Sequence, residues 1–412
     1  MGSFVGYQCS ICGKEYQPDQ VTYTCPDDNG ILDVLLDYEA LSKKSLDELV
    51  CWPEESLWRY LELMPIQKMI GVGTPLQAAG WTPTFKTDRL GQELGLNQLW
   101  VKDESSNPTA SFKDRASAVL VARAREIGAE VIVTASTGNA GAALAGMAAA
   151  VGHQSVIFAP KTAPPAKIAQ LQIFGARVIL VDDNYDAAYQ LSLEATEEFG
   201  WYNRNTGYNP FTAEGKKTAA FEIWDQVILK EELKKPLCVF VSVGDGNIIS
   251  GIHKGFKDLL AIGKLEQMPR IFGCQSTGSA AIANAFASGK EEIVAVEADT
   301  LADSISVNLP SDGLRALRAA TQTAGAYIAV EDQQILKAVA ELGKIGIFAE
   351  PAGSAAYAGL KQALSEGLIA EDDPVLVLNT GSGLKDVKAA MEAAGEAPVI
   401  KPELAAVKKL IG

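Results

Sequence analysis

Histidine is almost missing from this sequence: His153 and His253 are the only two in 412 residues. A Ser-His-Asp triad or a histidine-bound metal has little to draw on, so proton transfer must fall to another side chain. Cysteine is sparse too. Six thiols in a chain this long make no disulfide framework, which fits a reducing cytoplasm. Positive charge is outnumbered: 36 Lys and Arg face 51 Asp and Glu, a net charge of −15. Such a chain repels nucleic acid and anionic membranes, leaving small molecules as the expected partners. No apolar run is long enough to span a bilayer, and no leader pattern opens the chain. The start MGSFVG lacks the Ser or Thr at position six that myristoylation requires.

What is present is a long α/β pattern. Apolar residues make up 48% and charged residues 21%, ordinary for a globular core, and the length calls for two lobes. Runs starting at Leu99, Val131, Ser155, Arg177, Leu237, Arg270 and Val375 are continuously apolar. That is the signature of parallel strands covered on both faces. Ala-rich stretches over 111–128, 138–151, 213–234 and 247–262 have helical spacing and separate them. The alternation predicts parallel sheets with helices on both sides. Before it lie a turn-rich segment, 1–38, with three of the six cysteines, and a helical but irregular segment, about 39–82. Cys51, Cys238 and Cys274 read as isolated core or near-core residues. The tail from about Gly395 reads as peripheral.

Four segments carry chemistry. In SNPTASFKDRAS, Asn107-Pro108-Thr109 breaks a strand, Ser111 is the expected N-cap, and Lys113 falls in the first helical turn. There the helix dipole disfavours the ammonium form, as a lysine that attacks an aldehyde requires. A lysine at a helix start is ordinarily a solvated surface residue; its neighbours change the reading. In ASTGNAG a buried strand runs into a small polar turn. Asn139 is placed to hydrogen-bond the phenolic oxygen of pyridoxal phosphate (PLP), and Ser136 and Thr137 to bind a substrate carboxylate at the helix start. In VSVGDGNIISGI, residues Gly244, Asp245, Gly246, Asn247 and Ile248 form a phosphate cradle, with Asp245 turned away or paired to a lysine such as Lys254. No P-loop lysine follows, so nucleotide triphosphates are not expected. In LNTGSGLKD, Thr380, or less favourably Ser382, offers a hydroxyl to the pyridine nitrogen; Phe112 packs near the ring.

Together these segments resemble the fold-type II PLP enzymes, and most of all the threonine synthase family. SLWRY at Ser56, GVGTPL at Gly71, EGKKTAAFEI at Glu214 and AEPAGSAA at Ala349 are also similar to that family's segments, in order along nearly the whole chain. The resemblance implies a PLP lyase acting on O-phospho-L-homoserine, and a homodimer. It also implies a catalytic domain over 39–412, with a smaller lobe of about 107–205 inserted in a larger one. Three departures stand out. The family's NSxNPYR, which helps hold the substrate phosphate, is TGYNPFT here, so Thr206, Gly207 and Thr212 replace Asn, Ser and Arg. Lys161, Lys216 or Lys217 are the candidates to compensate. The loop GDGN is short, and Ala110 stands where glycine is common. The first departure keeps open an ammonia-lyase or β-replacement enzyme on another amino acid; a silent PLP-fold binding protein is a further reading that the intact lysine opposes.

Residues 1–38 resemble a zinc ribbon lacking one ligand. Cys9, Cys12 and Cys25 supply three thiolates, and Asp28 is the candidate fourth ligand. A ribbon that keeps its shape without metal is the alternative. His153 and His253 read as structural.

Overall fold

The computed structural model describes residues 3–411. Three sheets organise it. The first is antiparallel and small: β1 (Phe4–Cys9) pairs with β2 (Glu15–Tyr16) on one side and β3 (Leu32–Leu36) on the other. The second sheet has six strands. These are β4 (Thr84–Lys86), β5 (Leu99–Asp103), β10 (Cys238–Ser242), β11 (Arg270–Ser276), β12 (Tyr327–Val330) and β13 (Val375–Asn379), in the order β12-β11-β10-β13-β5-β4. All its pairings are parallel except that of the edge strand β4 with β5. The third sheet is wholly parallel, in the order β8-β7-β6-β9. It comprises β6 (Val131–Ala135), β7 (Gln154–Pro160), β8 (Arg177–Val181) and β9 (Tyr202–Asn203).

The seven apolar runs all form strands. Every residue of β5, β10 and β13 is buried, which is why no alternation shows in them. Helices cover both faces. Those that matter for the site are α1 (Lys113–Glu126), α2 (Asn139–Ala150), α3 (Phe211–Ile223), α4 (Asn247–Ala261) and α5 (Pro351–Ser365). The helix expected over 213–234 is shorter: α3 ends at Ile223, a π-turn covers Trp224–Ile228, and the Lys- and Glu-rich stretch before Pro236 is irregular. Segment 39–82 holds two single-turn helices and a 3-10 helix, Leu57–Leu63. Cys51 is exposed rather than near-core, whereas Cys238 and Cys274 are buried. The helix Leu404–Ile411 in the tail buries none of its residues. No helix of the described residues is long and apolar enough to cross a membrane.

A buried polar cluster lies inside this apolar frame, close to the start of α1. Lys102 of β5, Glu104 just after it, Arg115 of α1 and Glu222 of α3 have no solvent exposure. Arg115 donates from Nε to Glu104 Oε2 at 2.7 Å and from Nη2 to Glu104 Oε1 and Glu222 Oε2, both at 2.7 Å. Lys102 lies 2.8 Å from Glu222. Two cations and two carboxylates cancel, and the N–H groups of Trp81 and Thr82 satisfy Glu222 further. Breaking such a set strands an unpaired charge away from water. Arg115→Met is expected to lower the free energy of unfolding by about 3–5 kcal/mol, measured by urea denaturation. A loss below about 1 kcal/mol would show that the cluster does not anchor α1.

Candidate active site

In open parallel sheets, ligands bind beyond the carboxyl ends of the strands. Here β5, β13 and β10 are neighbours in one sheet, so the loops leaving them emerge side by side. The β5 loop leads to Lys113, the β13 loop carries Thr380, and the β10 loop runs through Gly244–Gly246 into α4. From the third sheet, β6 runs into Ser136-Thr137-Gly138 and α2, bringing Asn139 to the same cleft. The β5 and β13 loops are joined: Phe112 N donates to Thr380 O (2.9 Å), Ser382 N donates to Ala110 O (3.1 Å), and Ser111 forms a bridge with Gly381.

That bridge corrects one expectation. Ser111 does not cap α1; Phe112 holds the cap position and the helix opens on Lys113 itself. The Ser111 hydroxyl is buried and unpartnered. Ala110 has φ +63°, in the left-handed region, so the glycine common at this place has a physical reason. An alanine there bears about 1–2 kcal/mol of strain, stored three residues before Lys113 in the loop that sets it.

Among the described residues, Lys113 Nζ makes no hydrogen bond or ion pair. Burial, reinforced by the Arg204 charge, pulls its ammonium down to about 8, against the opposing pull of Glu350 and Asp245. Asn139 is buried and donates from Nδ2 to both Glu350 oxygens, at 2.9 and 3.2 Å. Burial raises the Glu350 carboxyl to about 7, while the Asn139 hydrogen bond and the charges of Lys113 and Lys385 act the other way. A cavity of about 140 Å3 opens here, lined by Thr137, Asn139, Glu350 and Lys385 among others. Glu350 and Lys385 lie in motifs noted in the sequence but were not singled out. Their signal was a carboxylate and an amine inside small-residue turns that had no other need of them.

The glycine loop is tightly framed. A Cβ on Gly244 would stand 2.7 Å from Ile305 Cα; Gly246 has φ +90°, and a Cβ there would meet Asp312 O at 2.6 Å. Only glycine fits at these two places, just before the 15-residue helix α4. Asp245 does not pair with Lys254. Its Oδ1 accepts from Ser311 N (3.0 Å) and Oγ (2.9 Å), while Lys254 lies 2.6 Å from Asp258, its neighbour one turn along α4. Asn247 is fully engaged: Oδ1 accepts from Lys216 Nζ (2.6 Å) and lies 3.3 Å from Thr212 Oγ1, and Nδ2 donates to Asp312 Oδ2 (2.7 Å). Asp312 is gripped in turn by Arg315, which reaches Asp33 of β3 at 2.5 Å. Thr380 is buried beside this loop, whereas the Ser382 side chain caps the following turn. His253 is buried and held neutral, pushed down to about 3 chiefly by burial.

The N-terminal sulfurs also meet. The donor atoms of Cys9, Cys12, Cys25 and Asp28 all lie within 4.8 Å of one another. Cys12 and Cys25 Sγ are 3.8 Å apart, and Cys9 Sγ is 3.3 Å from Asp28 Oδ1. Two thiolates bonded at about 2.3 Å to one tetrahedral zinc stand about 3.8 Å apart, so the set fits that ion.

The site fits PLP as well: an unpartnered amine with a depressed pKa, a buried amide held by the nearby Glu350, and a backbone cradle with no room for side chains. Residues 75–381 match the family described as pyridoxal-phosphate dependent enzyme. The chain is 37% identical over 407 residues to the threonine synthase of Methanocaldococcus jannaschii, covering 98% of each. It is 35% identical over 409 residues to that of Methanosarcina acetivorans, again with 98% of each covered. The solved threonine deaminase isoform 2 of Solanum lycopersicum superposes with a TM-score of 0.66 at 24% identity, over 86% of this chain and 96% of that one. Escherichia coli diaminopropionate ammonia lyase superposes at 0.64 and 21% identity, over 76% and 86%. At these identities the two structures show a shared fold.

Only a neutral amine attacks an aldehyde, so the coenzyme-free chain should capture PLP faster as pH rises through about 8, then level off. A solvent-exposed lysine would keep gaining rate towards about 10.4. Stopped-flow absorbance measures this, and Lys113→Ala should show no capture at any pH. A rate still climbing well above pH 8 would place the reacting amine elsewhere.

Proposed function

Since this chain belongs to the pyridoxal-phosphate dependent enzymes, in their fold-type II branch, we propose that it is a threonine synthase: a lyase converting O-phospho-L-homoserine and water to L-threonine and phosphate. The observation that carries the reading is the Lys113 amine, unpaired in a cleft beside the Asn139–Glu350 pair, in a chain similar to threonine synthases from end to end.

When bound, PLP draws electrons from the substrate's α-carbon and so loosens its proton. Lys113 would hold it, with Phe112 packed near the ring, Asn139 facing the phenolic oxygen and Thr380 its pyridine nitrogen. A hydroxyl at that nitrogen leaves it unprotonated, which suits elimination and replacement better than transamination. The N–H groups of Gly244, Asp245, Gly246, Asn247 and Ile248 would hold the phosphate at the start of α4. Glu350 orients Asn139. Ser136, Thr137 and the first N–H groups of α2 bind the substrate carboxylate. Lys113, partly neutral near pH 8, takes the α-proton and returns it. Over the whole reaction the Cγ–O bond to phosphate breaks, one proton passes from Cβ to Cγ, and the hydroxyl of water joins Cβ. The phosphate leaves with water's remaining proton.

Residues 107–205 then act as the smaller lobe closing over the site, within a catalytic domain of 39–412 that works as a cytoplasmic homodimer. The segment 1–38 is a ribbon holding zinc through Cys9, Cys12, Cys25 and Asp28.

Two measurements test this. Incubated with O-phospho-L-homoserine, the holoenzyme should release phosphate and threonine together, and Lys113→Ala neither. Ammonia and a 2-oxo acid from serine, threonine or diaminopropionate, with no phosphate release, would overturn the synthase in favour of an ammonia-lyase. Elemental analysis should find zinc bound to the wild-type protein and missing from Cys25→Ser. Zinc at background level in the wild type removes the metal from the proposal.

A further inference from the structure

Where the family resemblance implies an arginine for the substrate phosphate, this chain has Thr212. Its hydroxyl donates to Asn209 O (2.7 Å) and lies 3.3 Å from Asn247 Oδ1. One turn further along α3, on the same face, Lys216 donates from Nζ to the same Asn247 oxygen at 2.6 Å. Lys216 has no solvent exposure and forms no ion pair among the described residues. The other two candidates are committed elsewhere. Lys217 lies 2.5 Å from Glu214 and 2.8 Å from Asp258, and Lys161 pairs with Asp182 at the surface.

A second cation comes from the third sheet. Arg204 follows β9, whose neighbour β6 leads to the Ser136–Thr137 turn, and Arg204 N donates to Val133 O (2.8 Å). Its side chain has no solvent exposure. Nη1 reaches Thr206 Oγ1 at 2.9 Å, Nε lies 3.4 Å from Ser117 Oγ one turn along α1 from Lys113, and Nη2 has no partner. A guanidinium sheltered from water with a free N–H is waiting for an acceptor. Burial lowers the pKa of both side chains, and the charges of Lys113 and Arg204 depress Lys216 further, against the pull of Asp245 and Asp312. Those two carboxylates are held by Ser311 and by Arg315 with Asn247. Basic groups are therefore clustered here without a counter-anion, although the whole chain is acidic.

We propose that Lys216 and Arg204 form the subsite for the substrate's phosphate, replacing the arginine lost at position 212. The assignment rests on the threonine synthase reading for the identity of the ligand, but not for the presence of an anion site. It explains how TGYNPFT can serve where NSxNPYR is usual: the cation has moved one helical turn, and a second one approaches from the smaller sheet.

Inorganic phosphate titrated into the PLP holoenzyme, followed by calorimetry, tests it without turnover. Lys216→Met and Arg204→Met should each weaken phosphate binding by about tenfold or more, the scale of a lost charge-assisted contact. Coenzyme content and the visible spectrum should stay as in wild type. The KM for O-phospho-L-homoserine should rise more than kcat falls. Lys216→Met should unfold at the same or a higher temperature, since it removes a buried charge with no ion partner. Adding Thr212→Arg to Lys216→Met should restore phosphate affinity, which a merely structural role for Lys216 does not predict. Phosphate affinity within about twofold of wild type in both single variants overturns the assignment. Loss of PLP from Lys216→Met overturns it too, by placing that amine on the coenzyme. If the wild type binds phosphate through these residues yet releases ammonia from its substrates, the anion site stands and the synthase reading falls.

Discussion

Arg115 lies two residues beyond the lysine that opens α1, and its planar guanidinium is satisfied on both sides by buried carboxylates. Glu104 fixes one edge to the end of β5 and Glu222 the other to α3. A planar, multiply bonded cation cannot slide as an ammonium could. The start of α1 is therefore held in direction as well as place, and Lys113 inherits that direction. The cluster also ties the sheet that carries three of the four site loops to the helix that carries Lys216. Position at the site is thus set from inside the core, away from the water that the chemistry must limit.

The electrostatics of the cleft run against those of the whole molecule. The chain has fifteen more acidic than basic residues, yet Lys113, Arg204 and Lys216 converge with few free carboxylates around them. Two consequences follow from this one arrangement. The lysine is kept partly neutral near physiological pH, as nucleophilic attack demands. The remaining cations make an anionic ligand the natural counterweight, so the same crowding that lowers one pKa selects for phosphate-bearing partners.

The large features were legible in the sequence because each depends on local composition. Fully buried parallel strands read as apolar runs, and the loops at their carboxyl ends read as breaks in those runs. What stayed hidden depended on partners distant in sequence. Nothing near Ser111 reveals that the segment before Lys113 zips against Gly381 and so has no use for a serine cap. Asp245 looked like a partner for a lysine, but its acceptor role is taken by Ser311, 66 residues away. β4 and β9 are too short, and β4 too exposed, to give a periodic signal. Glu350 stood inside a quoted motif with no role attached; only the fold shows it bonded to Asn139 across 211 residues. Arg204 carried no motif at all, and its relevance appears only once β9 is seen beside β6.

The contact between Arg315 and Asp33 has a bearing on how the two ends of this protein share one fate. Asp33 belongs to the small N-terminal sheet, yet through Arg315 and Asp312 it steadies Asn247, at the threshold of the reaction chamber. A shortened chain starting after residue 38 would leave Arg315 one anion short and Asp312 freer to turn. The N-terminal sheet is therefore more than an ornament fused to a self-sufficient enzyme; it behaves as a keystone, and insertions or deletions there should be read out in the chamber, well beyond the residues they touch.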